Sequence, residues 1–395
     1  MSRVLLIGLA ATLAMAGTAD AARTFTLGKG YSPAVAVEKD GTGHFAWFQD
    51  GGKVDRLRYC QIPRGQNACK KARTFVGTGD ASYRNWRPFV FVAGQEVTLV
   101  ASFQRPQAAP VINDHLVVRS DDGGNSFGTP YAVGDPNRTG PEDAAYDGSG
   151  LSLLNDDADF TGTPVGGPPV AGQSAELDTL VKRPETIADP SIALVDNKEP
   201  IVTADYLNDT VVFHPPGLSA LRSVLIGAWK KAPTLKDENQ ASLAGGPGGV
   251  YAMLISSPKG RCPCKHVFRR WNGTRFASPF DTQQDFSGTG ASTGGNHDLF
   301  QDRAGRLHAV WTKTRGGGRS QDPTDVRYAR SKGGTADFAK PLTLTERGRN
   351  TNPVDLDVGT ASDGLGFVAW EEGGDSPTGS KSVVRAVAVA PSPQK

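Results

Sequence analysis

Charged and aromatic side chains cluster just before several short β-prone runs of this sequence. Two arginines beside a tryptophan, as in the segment from Tyr83 to Arg87, are suited to gripping an anion while the indole stacks on a sugar ring. Carboxylates at later clusters are of the type that binds a cation or acts on a glycosidic bond. The ligand-binding candidates are Arg84, Trp86, Arg87, Glu142, Asp143, Arg183, Asp189, His297 and Asp298.

The same side chains also have a purely structural interpretation. Polar residues at strand starts commonly cap exposed backbone groups and bridge neighbouring units of a repeat protein. The sequence leaves both interpretations open, and no residue is assigned a catalytic role. No cofactor and no metal site is expected.

The stretch from Ser120 to Pro130, SDDGGNSFGTP, places two adjacent carboxylates in a polar segment. It aligns without gaps with SKGGTADFAKP, so that Ser120 matches Ser331 and Phe127 matches Phe338. Asp122 can accept hydrogen bonds from the amides of its own turn, and Gly124 permits that turn. We therefore interpret the stretch as a structural hairpin whose phenylalanine packs inward, with a calcium or catalytic role as the alternative.

Further repeats predict many short strands. Asp-x-x-Gly turns recur along the chain, and three are followed by alternating apolar runs that end in Trp47, Trp311 and Trp370. This pattern is typical of a hairpin between two strands. A second pair of strands follows each hairpin, which gives units of about four strands at a spacing of roughly 50 residues. The predicted unit starts are Ser32, Arg87, Pro141, Asp189, Gly248, His297 and Asn352.

Four-stranded units repeated in this way predict an all-β fold, a β-propeller with seven blades; six blades are the alternative, because the third and fifth units are the weakest. The last unit lacks a fourth strand, and the segment Ala22–Leu27 echoes the fourth strand of the first unit. We expect this N-terminal strand to pair into the last blade and close the ring. The segment Gly217–Lys231 is either a short helix or contains a plain strand.

The residues Ser120, Asp122, Gly124, Ser126 and Phe127 resemble the Asp box of the sialidase-like (BNR/Asp-box) β-propeller family. The resemblance implies a propeller in which this box is a hairpin on the outer rim, away from the central site. Sialidase activity would further require three arginines, a tyrosine paired with a glutamate, and an aspartic acid. The early Arg-Ile-Pro motif of that family is absent, so no catalytic residue is transferred.

The favoured function is thus a ligand-binding module, with a glycan or another small polar ligand bound at the axial mouth. A secreted exo-sialidase or other glycoside hydrolase is the first alternative, and a cell-surface protein-interaction scaffold is the second. The net charge of +2 gives no reason to expect nucleic acid as a partner. The oligomeric state is left open.

The N-terminus has the layout of a secretory signal peptide: one early arginine, an apolar run from Val4, and Ala19-Asp20-Ala21. We expect a signal peptide over residues 1–22, a single domain over 23–395, no membrane span, and a secreted or periplasmic location. In an exported chain the four cysteines favour disulfides, Cys60 with Cys69 and Cys262 with Cys264. A metal held by Cys262, Cys264 and His266 is the alternative for the second pair.

Overall fold

The structure is a computed structural model. It describes residues 24–77, 87–104, 113–133, 141–146, 150–155, 159–164, 173–176, 187–195, 199–206, 209–214, 230–256, 265–282, 284, 286, 297–313, 324–333, 337–345, 353–373 and 382–389. Most of the segment Gly217–Lys231, for which the sequence leaves a helix or a strand open, lies outside these residues, as do Arg84, Trp86, Arg183, Cys262 and Cys264.

The described residues form seven antiparallel sheets, each built from consecutive strands except the last. Sheet 1 contains β2 (Tyr31–Val37), β3 (Gly43–Gln49), β4 (Arg56–Ile62) and β5 (Lys71–Val76). Sheet 2 contains β6 (Phe89–Ala93), β7 (Glu96–Gln104), β8 (Asn113–Ser120) and β9 (Tyr131–Val133). Sheet 3 contains β10 (Pro141–Tyr146), β11 (Gly150–Asn155), β12 (Asp159–Pro164) and β13 (Gln173–Glu176).

Sheet 4 contains β14 (Ile187–Val195), β15 (Glu199–Tyr206), β16 (Asp209–His214) and β17 (Lys230–Lys231). Sheet 5 has three strands, β18 (Glu238–Gly246), β19 (Gly249–Ser256) and β20 (Lys265–Arg270). Sheet 6 contains β21 (His297–Gln301), β22 (Leu307–Lys313), β23 (Asp325–Arg330) and β24 (Leu342–Thr343). Sheet 7 contains β25 (Val354–Thr360), β26 (Gly366–Glu372), β27 (Val383–Val389) and the N-terminal strand β1 (Phe25–Lys29).

The sheets are apolar on both faces because each is packed between two others. Strand β3 shows this: Phe45 and Trp47 pack in a cluster with sheet 7, whereas Ala46 and Phe48 pack in a cluster with sheet 2. Side chains alternate between the two faces of a strand, so a strand buried on both faces becomes a nearly continuous apolar run. This explains the unbroken apolar run from Phe45 to Phe48 in β3.

Contacts between sheets run through the whole series. Apolar clusters join sheets 1 and 2, 2 and 3, 4 and 5, 5 and 6, 6 and 7, and finally 7 and 1. The junction of sheets 3 and 4 is formed by the first strands, β10 and β14. First strands also contact each other at most other junctions, so they form the innermost layer.

The expected pairing of the N-terminal strand with the last sheet is present. Strand β1 is antiparallel to β27, with Phe25 opposite Ala386 and Lys29 opposite Val383. The indole of Trp47 donates a hydrogen bond to the carbonyl of Lys29, so β1 is also held by sheet 1. The expected disulfide between Cys60 and Cys69 is present as well, and it joins the third and fourth strands of sheet 1.

The sequence pattern predicted that the fifth unit begins at Gly248, and this prediction is wrong. Its first strand is β18, and the apolar run after Gly248 is its second strand. Strand β18, ENQASLAGG, is rich in small and polar residues and has only one large apolar side chain, so its pattern resembles a loop. Within the described residues this sheet has no regular fourth strand, only an isolated bridge between Trp271 and Phe276.

None of the described segments forms a helix long and apolar enough to cross a membrane.

Candidate functional site

A recurrent β-bulge shapes the start of the innermost strands. The register of the first hairpin shifts near the start of the first strand in sheets 1, 3, 4, 5 and 7. In four of these sheets a residue other than glycine has a positive φ: Ser32 (47°), Asp189 (45°), Gln240 (49°) and Asp355 (50°). Such a conformation costs roughly 1–3 kcal/mol per residue. Its recurrence indicates that the surrounding contacts impose it.

In sheets 3, 4, 5 and 7 the residue at the end of the bulge links its sheet to the next, and Asp298 does the same in sheet 6, where the register does not shift. We call Asp143, Ser191, Ser242, Asp298 and Asp357 the linking residues. Each accepts a hydrogen bond from a backbone amide in the first strand of the following sheet. The donors are Ile192 to Asp143 (2.9 Å), Leu243 to Ser191 (3.1 Å), Leu299 to Ser242 (3.0 Å), Val358 to Asp298 (3.1 Å) and Val35 to Asp357 (2.6 Å).

The equivalent positions of sheets 1 and 2 are apolar. The segments Ser32-Pro33-Ala34 and Arg87-Pro88-Phe89 correspond to Asp189-Pro190-Ser191, which places Ala34 and Phe89 where the other sheets have a linking residue. The structural interpretation of the polar strand starts is therefore correct for Asp143 and Asp298, because both bridge adjacent sheets. A ligand role at the same residues would have to be additional to this one.

Arg87 brings three of the linking residues into one electrostatic cluster. One guanidinium nitrogen of Arg87 lies 3.3 Å from Oδ1 of Asp143. Burial of the guanidinium lowers its pKa, but the charges of Asp143, Asp357 and Asp298 outweigh this effect and raise the pKa. These four residues come from sheets 2, 3, 6 and 7, so side chains from non-adjacent sheets converge at the centre. We call them the Arg87 cluster.

The Arg87 cluster remains accessible at the arginine. The side chain of Arg87 is 31% exposed, whereas that of Asp143 is 12% exposed. The guanidinium also lies over the ring of Phe89, at 5.5 Å from its centroid. Arg87 is thus the member of the cluster that a ligand would meet first.

Two carboxyl groups of the cluster have raised pKa values because they are buried. Burial and the neighbouring carboxyl of Asp298 raise the pKa of Asp357 well above its usual range, and Arg87 only partly offsets this. Asp298 and Asp357 share a hydrogen bond, so the proton on Asp357 is held between them. Burial likewise raises the pKa of Asp143, although Arg87 and the amide of Ile192 oppose the shift.

Of the predicted ligand-binding residues, Arg87, Asp143 and Asp298 thus lie together. Asp189 is a bulge residue, and its charge acts on Asp205 of the neighbouring strand. His297 is buried beside His266, with 5.0 Å between the ring centroids, and burial lowers its pKa. The position of the Glu142 side chain, like those of Arg84, Trp86 and Arg183, lies outside what the structure describes.

Sequence reasoning missed Asp357 and the two linking serines. A signal was present, since Pro33, Pro88 and Pro190 each precede the linking position directly. Aligning the strand starts on proline would have identified Ser191. Asp357 and Ser242 have no such proline, and only the bulge reveals them.

The hairpin that contains Asp122 lies at the opposite end of the strands from Arg87, because it follows the third strand of its sheet. Asp122 accepts hydrogen bonds from the amide and the hydroxyl of Ser126, and Ser120 donates to it at 2.8 Å. These bonds lower the pKa of Asp122 to about 2. Gly124 has a φ of +78°, and Phe127 packs edge-on against Tyr59 of sheet 1. The carboxylate is engaged within its own turn.

A tyrosine paired with a glutamate also occurs, but not at the axial end. The Tyr146 hydroxyl donates to Glu96, which also lies 2.8 Å from Arg119. Tyr146 ends a first strand and Glu96 begins a second strand, so both lie at the hairpin end. Among the described residues, the Arg87 cluster therefore lacks the tyrosine–glutamate pair that a sialidase-like mechanism needs.

Comparisons with known proteins show similarity of structure only. No family model matches this sequence, and no curated protein matches it. The structure of YCF48 bound to D1 peptide is similar with a TM-score of 0.54 and 13% identity, over 95% of this chain and 97% of that chain. AofleA from Arthrobotrys oligospora has a TM-score of 0.45 and 9% identity, over 82% of this chain and 90% of that one.

The intramolecular trans-sialidase from Ruminococcus gnavus, in complex with oseltamivir carboxylate, has a TM-score of 0.45 and 10% identity. The match covers 93% of this chain and 97% of that chain. At this level of identity such likeness shows the fold alone. The chain is an all-β protein of mostly four-stranded antiparallel sheets, and its structural neighbours are β-propellers.

Proposed function

We propose that this chain is an exported, seven-bladed β-propeller that binds an uncharged carbohydrate at its axial mouth. In this proposal residues 1–22 are the signal peptide, residues 23–395 form one domain, and β1 closes the ring by completing the last blade. The observation that carries the binding site is the Arg87 cluster, in which one accessible guanidinium meets three carboxyl groups at the centre of the innermost strands.

The charge balance of the cluster favours a neutral ligand. Among the described residues Arg87 is the only cation of the cluster and three carboxyl groups surround it, so no excess positive charge is left there to attract a carboxylate or a phosphate. Guanidinium groups only donate hydrogen bonds, whereas carboxylates accept them. A sugar ring suits such a surface because each hydroxyl can donate to a carboxylate and accept from an arginine.

Sequence neighbours of Arg87 support the same ligand class. Trp86 directly precedes Arg87, and Arg84 lies three residues before it. An indole beside polar donors is a common combination for stacking against a sugar face. Uncharged carbohydrate is therefore favoured over sialic acid, whose carboxylate would face Asp143, Asp298 and Asp357.

Hydrolysis of a glycosidic bond is the second candidate, because the Asp298–Asp357 pair holds a proton as an acid catalyst would. The geometry of the pair supports binding instead. Glycosidases separate their two carboxyl groups by about 5–9.5 Å, whereas Asp298 and Asp357 hydrogen-bond to each other. Both also accept backbone amides from the next sheet.

The test is a glycan array on the purified mature protein, followed by calorimetry with the neutral oligosaccharides that bind. We expect Arg87→Met to weaken binding by about tenfold or more, since the loss of charge-assisted hydrogen bonds is worth roughly 1.5–3 kcal/mol. Arg275→Met, at an exposed turn, is the matched control and should bind as the wild type does. An array without neutral hits, or full binding by Arg87→Met, would contradict the proposal.

A panel of fluorogenic glycosides separates the two candidates. The binding proposal expects no turnover of any neutral glycoside or of a sialoside. Release of the fluorophore that disappears in Asp298→Asn would replace binding with hydrolysis as the function.

A further inference from the structure

The outer half of sheet 1 carries an unusual concentration of positive charge. Residues 51–76 contain seven basic residues and one acidic residue, in a chain with 43 basic and 41 acidic residues overall. The rest of the chain is therefore net negative. The single acid, Asp55, is buried and accepts a hydrogen bond from the hydroxyl of Tyr31, so it does not face the solvent.

Most of these basic side chains are exposed and lack a carboxylate partner. We call Lys53, Arg56, Arg58, Lys70, Lys71 and Arg73 the basic edge. Lys53, Arg56, Lys70 and Arg73 are exposed, and the other two are half-buried. Arg64 differs from them, since it pairs with Asp363 at 2.8 Å. Among the described residues, none of the basic edge forms an ion pair.

Strand β5, which carries Lys71 and Arg73 of the basic edge, is also the outermost strand of its sheet. In the described residues it pairs with β4 alone. The amide of Gly77 donates to the carbonyl of Asp55, and this bond shows which residues of β5 direct their amides toward β4. Because hydrogen-bonding groups alternate along an antiparallel strand, the amides of Ala72, Thr74 and Val76 point away from β4.

Two faces of β5 differ in chemistry. Lys71, Arg73 and Phe75 share one face, on which Phe75 packs against Phe127, and Ala72, Thr74 and Val76 share the other. The side chain of Val76 is 71% exposed, the largest value among the exposed large apolar residues that the structure describes. The Cys60–Cys69 disulfide ties β4 to the segment that leads into β5. An extended segment lying along this edge would meet Lys71 and Arg73 on one face and Val76 on the other, where Arg56 and Arg58 of β4 lie on the far side of β5 from the segment.

We propose that the open edge of β5 binds an acidic peptide, which adds to sheet 1 as a fifth strand. Its backbone pairs with the outward amides of Ala72, Thr74 and Val76, and its acidic side chains lie opposite Lys71 and Arg73. Apolar residues at the alternate positions lie beside Val76. Basic residues on an edge strand repel basic strands and gain no charge partner from neutral ones, so the same charges that oppose self-association favour an acidic partner.

The first experiment uses a fluorescein-labelled peptide of about ten residues in which glutamate and valine alternate, a length that covers one strand. We expect saturable binding by fluorescence anisotropy that weakens as salt is raised. Lys71→Glu combined with Arg73→Glu should weaken binding by about tenfold or more, because opposed charges across strands become like charges. The matched control, Lys236→Glu with Arg303→Glu, reverses two exposed charges elsewhere and should bind as the wild type does.

The second experiment tests the strand geometry. Thr74→Pro removes an outward amide and leaves the ladder with β4 intact, since proline is tolerated at sheet edges. Thr74→Ala is its control, because Thr74 also accepts a hydrogen bond from Arg58 at 2.7 Å. We expect Thr74→Pro to abolish binding and Thr74→Ala to retain it, with both variants melting within a few degrees of the wild type.

A peptide N-methylated at alternate residues serves the same purpose without altering the protein. We expect it to bind far more weakly than the parent peptide. Equal binding of the methylated and parent peptides, or full binding by the charge-reversed variant, would overturn the proposal. Because Arg87→Met leaves sheet 1 untouched, it should bind the peptide normally, so failure here is distinct from failure of the axial site.

Discussion

Asp357 is held between two backbone amides and the carboxyl group of Asp298, and burial raises its pKa well above the usual range, so we expect it to carry a proton at neutral pH. Asparagine reproduces a protonated aspartate, since it can accept from Val35 and donate to Asp298. We expect Asp357→Asn to change the free energy of unfolding at neutral pH by less than about 1 kcal/mol. Asp357→Ala should cost about 1–3 kcal/mol, because it leaves the amide of Val35 without its partner, whereas the amide of Val358 keeps its hydrogen bond to Asp298.

Urea denaturation of both variants at neutral pH measures the difference. Asp363→Asn, at a 42% exposed side chain, controls for the general effect of removing an aspartate. If Asp357→Asn destabilised the protein as much as Asp357→Ala, Asp357 would be ionised and the shared proton would be disproved.

Asp205 gives the fold a measurable pH dependence. Burial raises the pKa of Asp205 to about 7, the charge of Asp189 adds to the shift, and the amide of Gln240 and the hydroxyl of Thr210 oppose it. Between the ordinary aspartate pKa and this value the folded state binds a proton that the unfolded state does not. The contribution to stability is therefore complete at low pH and is lost as the pH rises through about 7.

We expect the free energy of unfolding of the wild type to fall by a few kcal/mol from about pH 5 to pH 8, at about 1.4 kcal/mol per unit of pKa shift. Asp205→Asn does not titrate, so its stability should fall less over the same range. Chemical denaturation at several pH values tests this. Parallel curves for the two proteins would show that Asp205 titrates normally.

At the scale of residues, the sequence identified Arg87, Asp143 and Asp298 but not the role they share. All three precede or begin apolar runs, which is a pattern visible in the sequence. Their convergence depends on which sheets face each other across the centre, and no local pattern encodes that. Asp357 was not identified because nothing in the sequence distinguishes it from Asp355, two residues earlier, which forms the bulge.

At the scale of elements, the hairpin from Ser120 to Phe127 shows how a turn can lock two sheets together. The side-chain amide of Gln61 donates to the carbonyl of Gly123, and Arg73 donates to that of Asn125, so sheet 1 grips the turn of sheet 2. Gly124 lies directly above Tyr59. A Cβ atom at Gly124 would come 1.9 Å from the Tyr59 hydroxyl, which is itself bonded to His44 at 2.7 Å.

Gly124→Ala should therefore destabilise the protein more than the backbone conformation alone would. Gly65 is the matched control, since its φ of +74° is close to the +78° of Gly124 and nothing lies within 4 Å of its Cβ position. We expect about 1–2 kcal/mol for Gly65→Ala, from the left-handed backbone, and at least about 1 kcal/mol more for Gly124→Ala, from the displaced tyrosine. Thermal or urea denaturation gives both values. Equal losses of stability for the two variants would show that Tyr59 moves aside at no energetic cost.

The sequence predicted most elements because turns and apolar alternation repeat along the chain. The apolar runs that end in Trp47, Trp311 and Trp370 lie in the second strands of their sheets, as expected. The predicted start of the fifth unit was wrong by one strand, because the conformation of β18 depends on contacts with neighbouring sheets. Its bulge at Gln240 accompanies hydrogen bonds to Asp205 and, two residues later, to Asp298, which are contacts with sheets 4 and 6.

At the scale of the whole molecule, β1 connects the two ends of the described chain. Besides pairing with β27, it receives a hydrogen bond from Trp47 of sheet 1, and Thr24 just before it donates to the carbonyl of Leu344 in sheet 6. Phe25 and Leu27 pack against the cluster between sheets 7 and 1. Gly30, with a φ of +142°, lets the chain turn into β2, since a Cβ atom there would lie 2.1 Å from the Phe48 carbonyl.

Removing β1 should therefore weaken the junction of sheets 7 and 1 and leave β27 with an open edge. We expect a mature protein that begins at Gly30 to melt at least several degrees below the protein that begins at Arg23, and to aggregate on heating. Full burial of a large apolar side chain contributes about 1.5–3 kcal/mol, and Phe25 and Leu27 are each half-buried, so a loss of a few kcal/mol is the expected scale.

A double variant, Phe25→Ser with Leu27→Ser, should reproduce much of this loss, whereas Thr26→Ser, at an exposed position, should not. A synthetic peptide of residues 24–30 added to the truncated protein should restore the melting temperature, because the open edge of β27 is its binding site. Truncation without any loss of stability, or a peptide that gives no recovery, would show that β1 lies on the last sheet without holding the two ends of the chain together.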